Sequence, residues 1–251
     1  MSIKYNIPFD LDSPERTIAH QKIIKEKCFL RKLYEEWYKV FTDAIYGLPD
    51  GKIIELGSGG GFLKEIRPSV ICTDILKLPS NDMTFSALEM PFSDSELSAI
   101  FMIDTFHHIP DSFLFLKEAD RVLQKNGKII MIEPANSLWG RFIYKNFHHE
   151  PFEPNGGWEI PISGPLSGAN GALPWIVFER DYEKFSELFP HLKIEKIQNH
   201  TPLMYLISGG LAFKQLLPDF SYCFFRGFDK LLALISKQFS MFVTIEIRKP
   251  D

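Results

Sequence analysis

Three glycines at alternate positions follow an acidic residue, and together they could bind a polar ligand. The stretch reads Lys52-Ile53-Ile54-Glu55-Leu56-Gly57-Ser58-Gly59-Gly60-Gly61-Phe62. Glycine lets the backbone bend sharply and approach a ligand closely, because no Cβ intrudes. The amides of such a turn, and of the helix that it opens, can face polar groups of the ligand. A carboxylate before the turn repels phosphate, so Glu55 favours a ligand with cationic groups or hydroxyls.

Two classes of phosphate-binding nucleotide site use glycine-rich turns of this kind. A phosphate-binding P-loop needs Gly-Lys-Ser/Thr after its glycines, and none follows here. The dinucleotide fingerprint, started at Gly57, needs glycine at position 62, where this chain has Phe62. A turn that only connects strand to helix also fits the pattern when it is taken alone.

The acidic-x-Gly-x-Gly-x-Gly spacing of Glu55, Gly57, Gly59 and Gly61 resembles the first motif of class I S-adenosylmethionine (SAM)-dependent methyltransferases. The resemblance implies that this loop, with Ser58, surrounds the methionine and ribose parts of SAM. Asp74 ends the second predicted strand, and Ile75 follows it. A carboxylate at that point can accept hydrogen bonds from both ribose hydroxyls.

Later segments resemble the same family in the expected order. Ser86 to Ser95 is similar to the pattern Asp-Ala-x-x-Leu-Pro-Phe-x-Asp-x-Ser, which implies that Ser86 and Ala87 lie by the adenine. Serine replaces the family's aspartate there, which weakens the expected contact with the adenine amine. The resemblance also puts Asp104, at the end of the fourth predicted strand, near the methionine part of SAM. Residues 116–128 complete the match, which covers about residues 50–134 and points to the type 11 subgroup.

Apolar runs that alternate with helical patterns predict an α/β fold. Strands apolar along their whole length are typical of a parallel sheet covered by helices on both faces. The resemblance implies a Rossmann-like sheet of seven strands, mostly parallel, in which the antiparallel last strand is Phe242–Ile247. A helix is expected from Pro110-Asp111 to Leu123, with Asn126-Gly127 as its stop signal.

The chain is expected to form a single methyltransferase domain with four parts. These are an N-terminal helical segment (1–49), the SAM-binding core (50–134), an insertion over the active site (135–180), and a C-terminal part with a helical cap and the last strand (181–251). The insertion is rich in Gly, Pro, Asn and aromatic residues. It is predicted to be ordered, because such aromatics are normally buried, but to contain little regular structure.

Histidines are the candidate catalytic residues. Methyl transfer from a sulfonium mainly requires that the acceptor atom be placed in line with the methyl group. A base such as histidine is needed where the acceptor must lose a proton. His107 and His108 follow the fourth strand, where open α/β sheets bind ligands, and His149 lies in the insertion beside His148 and Glu150. No metal site is expected, because neighbours in sequence such as His148, His149 and Glu150 rarely converge on one ion.

Composition restricts the partners and the compartment. The net charge of −4, with no basic run, argues against nucleic acid. Three cysteines without a C-x-x-C pair favour a reduced, cytoplasmic setting. The uncharged apolar stretch 201–213 is too short to span a bilayer. The apolar C-terminal helices could still form a pocket for a lipid-like acceptor, or touch a membrane surface.

The sequence therefore predicts SAM-dependent methylation of a small-molecule acceptor, and the apolar C-terminal helices favour a hydrophobic one. A nicotinamide-dependent oxidoreductase on the same type of sheet is the alternative enzyme, although Phe62 argues against it. A non-catalytic, SAM-binding regulatory protein is the other alternative, since a fold of this kind serves many chemistries. The acceptor atom and the oligomeric state are left open.

Overall fold

The apolar runs of the sequence form one seven-stranded sheet in the computed structural model, which describes residues 4–161 and 163–251. Helices lie on both sides, as expected for strands without a polar face. The strands are β1 (Lys52–Glu55), β2 (Ile71–Asp74), β3 (Met83–Thr84), β4 (Leu97–Ile103), β5 (Leu123–Pro134), β6 (Lys193–His200) and β7 (Phe242–Arg248). The helices are α1 (Pro14–Glu26), α2 (Cys28–Ile45), α3 (Leu63–Ile66), α4 (Ser112–Val122), α5 (Leu138–Phe147), α6 (Leu173–Trp175), α7 (Tyr182–Leu188), α8 (Met204–Ser208) and α9 (Tyr222–Ile235), with a π-helical turn at Ile176–Arg180.

The strand order is β3-β2-β1-β4-β5-β7-β6. Strands β3, β2, β1, β4 and β5 pair in parallel, whereas β7 lies antiparallel between β5 and β6. This confirms the predicted sheet with an antiparallel, inserted last strand. Its order places the carboxyl ends of β1, β2, β4 and β5 along one edge, where ligands of such sheets bind.

The centre of the sheet is the core of the protein. All seven residues of β4 are buried, and Phe41 of α2 stacks on Phe101 of β4 with ring centroids 4.6 Å apart. Helix α2 buries one continuous apolar face, which includes Leu33, Trp37 and Tyr38. Strand β1, which carries Glu55, is therefore held in a fixed position by its tightly packed neighbours.

One sequence prediction about helices is confirmed, and another is wrong. The helix that begins after Asp111 ends at Val122, one residue before the expected end, and Asn126 adopts a left-handed backbone (φ 64°) within β5. The insertion contains more regular structure than expected, because α5 forms from Leu138 to Phe147. Ser137 caps α5 by accepting a hydrogen bond from the Gly140 amide.

Within the described residues, no helix is long and apolar enough to cross a membrane. The cysteines Cys28, Cys72 and Cys223 are free thiols.

Candidate active site

A cavity of about 750 Å³ opens at the carboxyl ends of β1, β2 and β4. Its size lies within the range of roughly 300–1,000 Å³ that is usual for small-molecule sites. Every residue that the sequence marked for the cofactor or for catalysis lines this cavity: Glu55, Gly57, Ser58, Gly59, Gly61, Asp74, Ile75, Ser86, Ala87, Asp104, His107, His108 and His149. The structure thus brings the predicted residues together in one place, while their individual roles stay predictions.

The glycine loop is held in a conformation that side chains would disturb. Gly57 has φ +63°, and a Cβ there would lie 2.4 Å from the side chain of Thr105. Ser58 donates its amide to the Thr73 carbonyl at 2.9 Å, and Phe62 donates its amide to the Tyr38 hydroxyl at 2.9 Å. These contacts fix the loop between β1, β2 and α2, with its inner face open to the cavity.

Asp74 lies beside this loop. Its Oδ2 accepts from the Gly59 amide at 3.0 Å, and its Oδ1 accepts from the Leu76 amide at 2.8 Å. Burial raises the pKa of the Asp74 carboxyl, although the backbone hydrogen bonds oppose the shift. Each carboxylate oxygen still has a second lone pair, so both can accept from a ligand hydroxyl.

Glu55 and Asp104 are two acidic groups that face the same space. Burial raises the pKa of each to about 8, so both are largely protonated at neutral pH when no cation is near. Asp104 also has a left-handed backbone (φ 48°), which is uncommon for a residue other than glycine. A cationic ligand would lower the pKa of both carboxyls, because it stabilises their ionised form.

Ser86 and Ala87 line the cavity together with Phe85 and Leu88. The Ser86 hydroxyl accepts a hydrogen bond from the Leu88 amide at 3.2 Å, so it caps its own turn. The apolar neighbours and the exposed backbone of this turn provide a surface against which a flat ring could stack.

His107 lies at the centre of a buried polar array that begins at the end of β5. Its Nδ1 is 2.7 Å from Oε2 of Glu133, and its Nε2 is 3.3 Å from Oε2 of Glu150. Glu133 is fully buried and also accepts the amides of Thr105 and Phe106 through Oε1. Burial lowers the pKa of His107, but the hydrogen bonds to the two carboxylates outweigh that effect and raise it well above its usual value.

His108 extends the array on the cavity side. Its Nδ1 is 2.8 Å from the Gly168 carbonyl, and its Nε2 is 3.6 Å from Oε1 of Glu150. Burial and the neighbouring His107 charge lower the pKa of His108 to about 4, so its ring is neutral. His149, by contrast, has a side chain that is 58% exposed at the mouth of the cavity and lies 3.7 Å from Glu150.

The roof of the cavity comes from distant parts of the chain. Thr17 and His20 of α1 line it above the glycine loop, and the Gln21 side-chain amide donates to the Gly61 carbonyl at 3.0 Å. Lys27, at the break between α1 and α2, donates to the carbonyls of Gly210 and Phe213. The remaining apolar lining comes mainly from α5, α8 and their loops: Ile143, Tyr144, Phe147, Phe152, Ile160, Tyr205, Leu206, Phe213 and Leu216.

Comparison with known proteins agrees with this site. Residues 55–131 match the family model described as Methyltransferase domain. The segment contains β1, the glycine loop, Asp74 and β4, and it ends within β5. The matched segment and the observed fold support a SAM-dependent methyltransferase of class I, type 11, with SAM as its cofactor.

Solved structures share the fold over nearly the whole chain. Geranyl diphosphate C-methyltransferase from Streptomyces coelicolor A3(2), solved with Mg²⁺, geranyl diphosphate and S-adenosyl-L-homocysteine, has a TM-score of 0.53 and 15% identity, with 95% of this chain and 86% of that chain covered. A geranyl diphosphate methyltransferase solved with SAM has a TM-score of 0.53 and 12% identity, with 97% and 93% covered. At such identities the likeness concerns the fold.

Sequence reasoning missed Glu133 altogether and noted Glu150 only as a neighbour of His148 and His149. Glu133 did carry a signal: it lies near the end of β5, as Glu55 and Asp74 lie at the ends of their strands. Glu150 carried none that placed it against His107, because the two residues meet only through the path of the insertion.

Proposed function

We propose that this protein transfers the methyl group of SAM to a small, largely apolar acceptor, and that the acceptor lies between the cofactor loop and the roof formed by α5 and α8. The observation that carries this proposal is the two-part lining of the cavity. The lining combines the glycine loop, Asp74 and the acidic groups with a large set of aromatic and aliphatic side chains from other parts of the chain.

The proposed cofactor contacts follow from the geometry of the first part. Asp74 would accept from the ribose hydroxyls through its free lone pairs, with Ile75 beside the ring. Ser86 and Ala87 would lie by the adenine, where the Ser86 hydroxyl is already used by Leu88. Asp104 would face the ammonium group of the methionine part, where a cation stabilises a carboxylate that burial otherwise keeps protonated.

His107 and His108 are proposed to bind the polar end of the acceptor together with Glu150. These three residues line the cavity together with apolar residues of α5 and its following loop. The apolar walls would align the rest of the acceptor and keep water from the methyl group, which favours an in-line displacement. A catalytic role for the exposed His149 stays a prediction.

The charges of the lining restrict the acceptor further. Arg16 is the one lysine or arginine that lines the cavity within the described part of the chain, and its Nη1 donates to the carbonyls of Ile7 and Phe9 at 3.4 and 3.1 Å. A diphosphate bound by side chains alone would need several such cations, and the similar structure with geranyl diphosphate also contains Mg²⁺. Because Arg16 is already engaged with backbone carbonyls, we propose an acceptor whose polar end is a single oxygen group and not a diphosphate.

A membrane surface is the proposed source of this acceptor. The outer faces of α5 and α9 form what we call the apolar surface, which consists of Leu138, Phe142, Phe147, Phe224, Phe228, Leu231, Leu234, Ile235 and Phe239. The two helices are joined through Gln238, whose Oε1 accepts from the Leu138 amide at 3.0 Å. Phe147 is 66% exposed and also lines the cavity, so the apolar surface reaches its mouth.

The charges around this surface favour an anionic bilayer. Arg141, Lys145, Lys230 and Lys237 lie on or next to α5 and α9, whereas the acidic residue of α9, Asp229, is buried against Arg226. An apolar face with a basic border is typical of helices that lie in the membrane interface. The cytoplasmic location expected from the cysteines stays a prediction.

The test is methyl transfer from radiolabelled SAM to fractionated cell extract. We expect label in the fraction soluble in organic solvent, and none in nucleic acid. Label confined to water-soluble metabolites or to protein would contradict the apolar acceptor.

Thermal-shift measurements with SAM and with NAD distinguish the methyltransferase from the oxidoreductase alternative. The true ligand should raise the unfolding temperature, because it stabilises the folded state by mass action.

A further inference from the structure

His107, His108 and Glu150 present three metal-ligating atoms to one point at the wall of the cavity. One ligand atom from each of the three residues lies within 4.8 Å of the others. Nε2 of His107 is 3.3 Å from Oε2 of Glu150, and Nε2 of His108 is 3.6 Å from Oε1 of the same carboxylate. Ligands at about 2.0–2.1 Å from a tetrahedral Zn²⁺ are roughly 3.3–3.4 Å apart, so both nitrogen–oxygen separations are close to those of ligands that share an ion.

The hydrogen bonds behind the two rings direct their lone pairs toward that point. Nδ1 of His108 lies 2.8 Å from the Gly168 carbonyl, which can only accept, so Nδ1 carries the hydrogen and Nε2 is the nitrogen that can bind an ion. Nδ1 of His107 lies 2.7 Å from Oε2 of Glu133. A carboxylate behind a histidine is the usual support of a metal ligand, because it fixes the tautomer and makes the nitrogen more basic.

A proton is the other group that could lie among these atoms. If His107 donated to both Glu133 and Glu150, those contacts would be satisfied without an ion. For His108 to donate to Oε1 of Glu150 as well, its ring would have to carry a second proton, and two charged imidazoles with ring centroids 4.2 Å apart would then repel each other. A divalent cation satisfies all three ligands at once.

We propose that His107, His108 and Glu150 bind a first-row divalent metal ion, with Zn²⁺ the best match, and that Glu133 positions His107 for it. Two imidazoles and one carboxylate are the ligand set of open zinc sites, which keep a fourth position for water or substrate. The cluster lines the cavity, so this position faces the acceptor. Resting on the proposed function, this deepens it: the acceptor would carry a hydroxyl or carboxylate oxygen that completes the coordination.

His148 and His149 also approach Glu150, at 3.5 and 3.7 Å. The His148 contact uses Nδ1, which is also 3.4 Å from the Glu150 amide, and the His149 side chain is mostly exposed. Neither ring has a carboxylate behind it in the described hydrogen bonds, so we assign the inner pair as the ligands.

The direct test uses the full-length protein stripped with a chelator, with Zn²⁺ binding measured by calorimetry and Co²⁺ binding by its visible spectrum. We expect one ion per chain and an intense tetrahedral Co²⁺ spectrum. His108→Ala and the nearly isosteric Glu150→Gln should each remove that spectrum. Glu133→Gln should weaken the affinity about 10–100-fold, as is usual for a group that supports a ligand. His191→Ala, which removes an exposed histidine outside the cluster, should leave binding unchanged.

Each outcome decides a separate point. No stoichiometric binding, or binding that Glu150→Gln leaves unchanged in a variant with normal thermal unfolding, would overturn the metal site. If the protein binds the metal ion but a chelator does not change the rate of methyl transfer, the proposed coordination of the ion by the acceptor would be overturned. Metal binding in a protein that transfers no methyl group to any extract would support the site while contradicting the proposed function.

Discussion

The Gly59 amide donates a hydrogen bond of 3.0 Å to Oδ2 of Asp74, and this bond joins the glycine loop to the end of the neighbouring strand. It aims the Asp74 carboxylate along the inner face of the loop, so the two motifs form one binding surface.

Asp74→Ala should weaken SAM binding by at least about tenfold, since a hydrogen bond to a charged group contributes roughly 1.5–3 kcal/mol. The fold should survive, because burial already disfavours the Asp74 charge. Calorimetry with SAM measures the affinity, and thermal unfolding checks the fold. Asp94→Ala, at an exposed ion pair with Arg121, is the control that should bind SAM normally. Unchanged affinity in Asp74→Ala would remove Asp74 from the ribose site.

Gly57→Ala should lower both the stability of the protein and its affinity for SAM. The left-handed backbone costs a residue with a Cβ about 1–2 kcal/mol, and the added methyl group would meet Thr105 at 2.4 Å. Thermal unfolding and SAM titration give the two quantities.

Gly227→Ala is a matched control, because Gly227 lies inside α9 and a Cβ there would meet nothing within 4 Å. This second change should stabilise the protein by about 0.5–1 kcal/mol, the usual preference for alanine in a helix. Equal effects of the two substitutions would show that the loop conformation at Gly57 is not needed.

Glu55→Gln should have opposite effects on stability and on cofactor binding. In the free protein the pKa of Glu55 is about 8 because of burial, whereas an unfolded glutamate ionises near its ordinary value of 4.5. From about pH 5 to pH 8 the unfolded chain loses this proton and the folded chain keeps it, so the free energy of unfolding falls as pH rises. Glutamine does not titrate in this range. The free energy of unfolding of the variant relative to that of the wild type should therefore increase across that window, by about 1 kcal/mol or more at pH 8.

SAM binding should respond in the other direction, because the cationic ligand favours ionised Glu55. The affinity of the wild type should rise between pH 7 and pH 9 with release of a proton at pH 7, seen as a binding enthalpy that depends on the buffer. In Glu55→Gln the affinity should be lower and less dependent on pH. A variant that binds SAM as tightly as the wild type at pH 9 would show that the Glu55 charge is not used.

The parts that the sequence predicted correctly are local in the chain. The glycine loop lies between a strand and a helix that follow one another directly, and Asp74 ends the next strand. Turn chemistry, apolar runs and a resemblance that covers these segments were therefore enough to place them. The antiparallel β7 was also predicted, since its alternating pattern and its position at the end of the chain agree with the family fold.

The rest depends on contacts between distant residues. His107 meets Glu133 and Glu150, which are 26 and 43 positions away, and no spacing rule connects them. Helix α5 was missed because its aromatics suggested a buried loop, although Ser137 was a usable cap signal. The insertion brings its own carboxylate to the end of β4, and this long-range packing is what a single sequence does not reveal.

The apolar surface gives the last prediction. Phe224 and Leu234 are 74% and 84% exposed on α9, so replacing them should not disturb the core. Burial of such side chains in a bilayer contributes about 1.5–3 kcal/mol each, and Phe224→Glu with Leu234→Glu also adds repulsion from anionic lipid. We expect the wild type to float with vesicles that contain phosphatidylglycerol, less so at high salt, and the double variant to stay in solution.

Tyr46→Glu changes an equally exposed aromatic that precedes β1, at the opposite edge of the sheet from the cavity, and should float like the wild type. Wild-type protein that binds neither anionic nor neutral vesicles would contradict the membrane as the source of the acceptor. That result would not affect the predicted roles of Asp74, Gly57 and Glu55 in SAM binding.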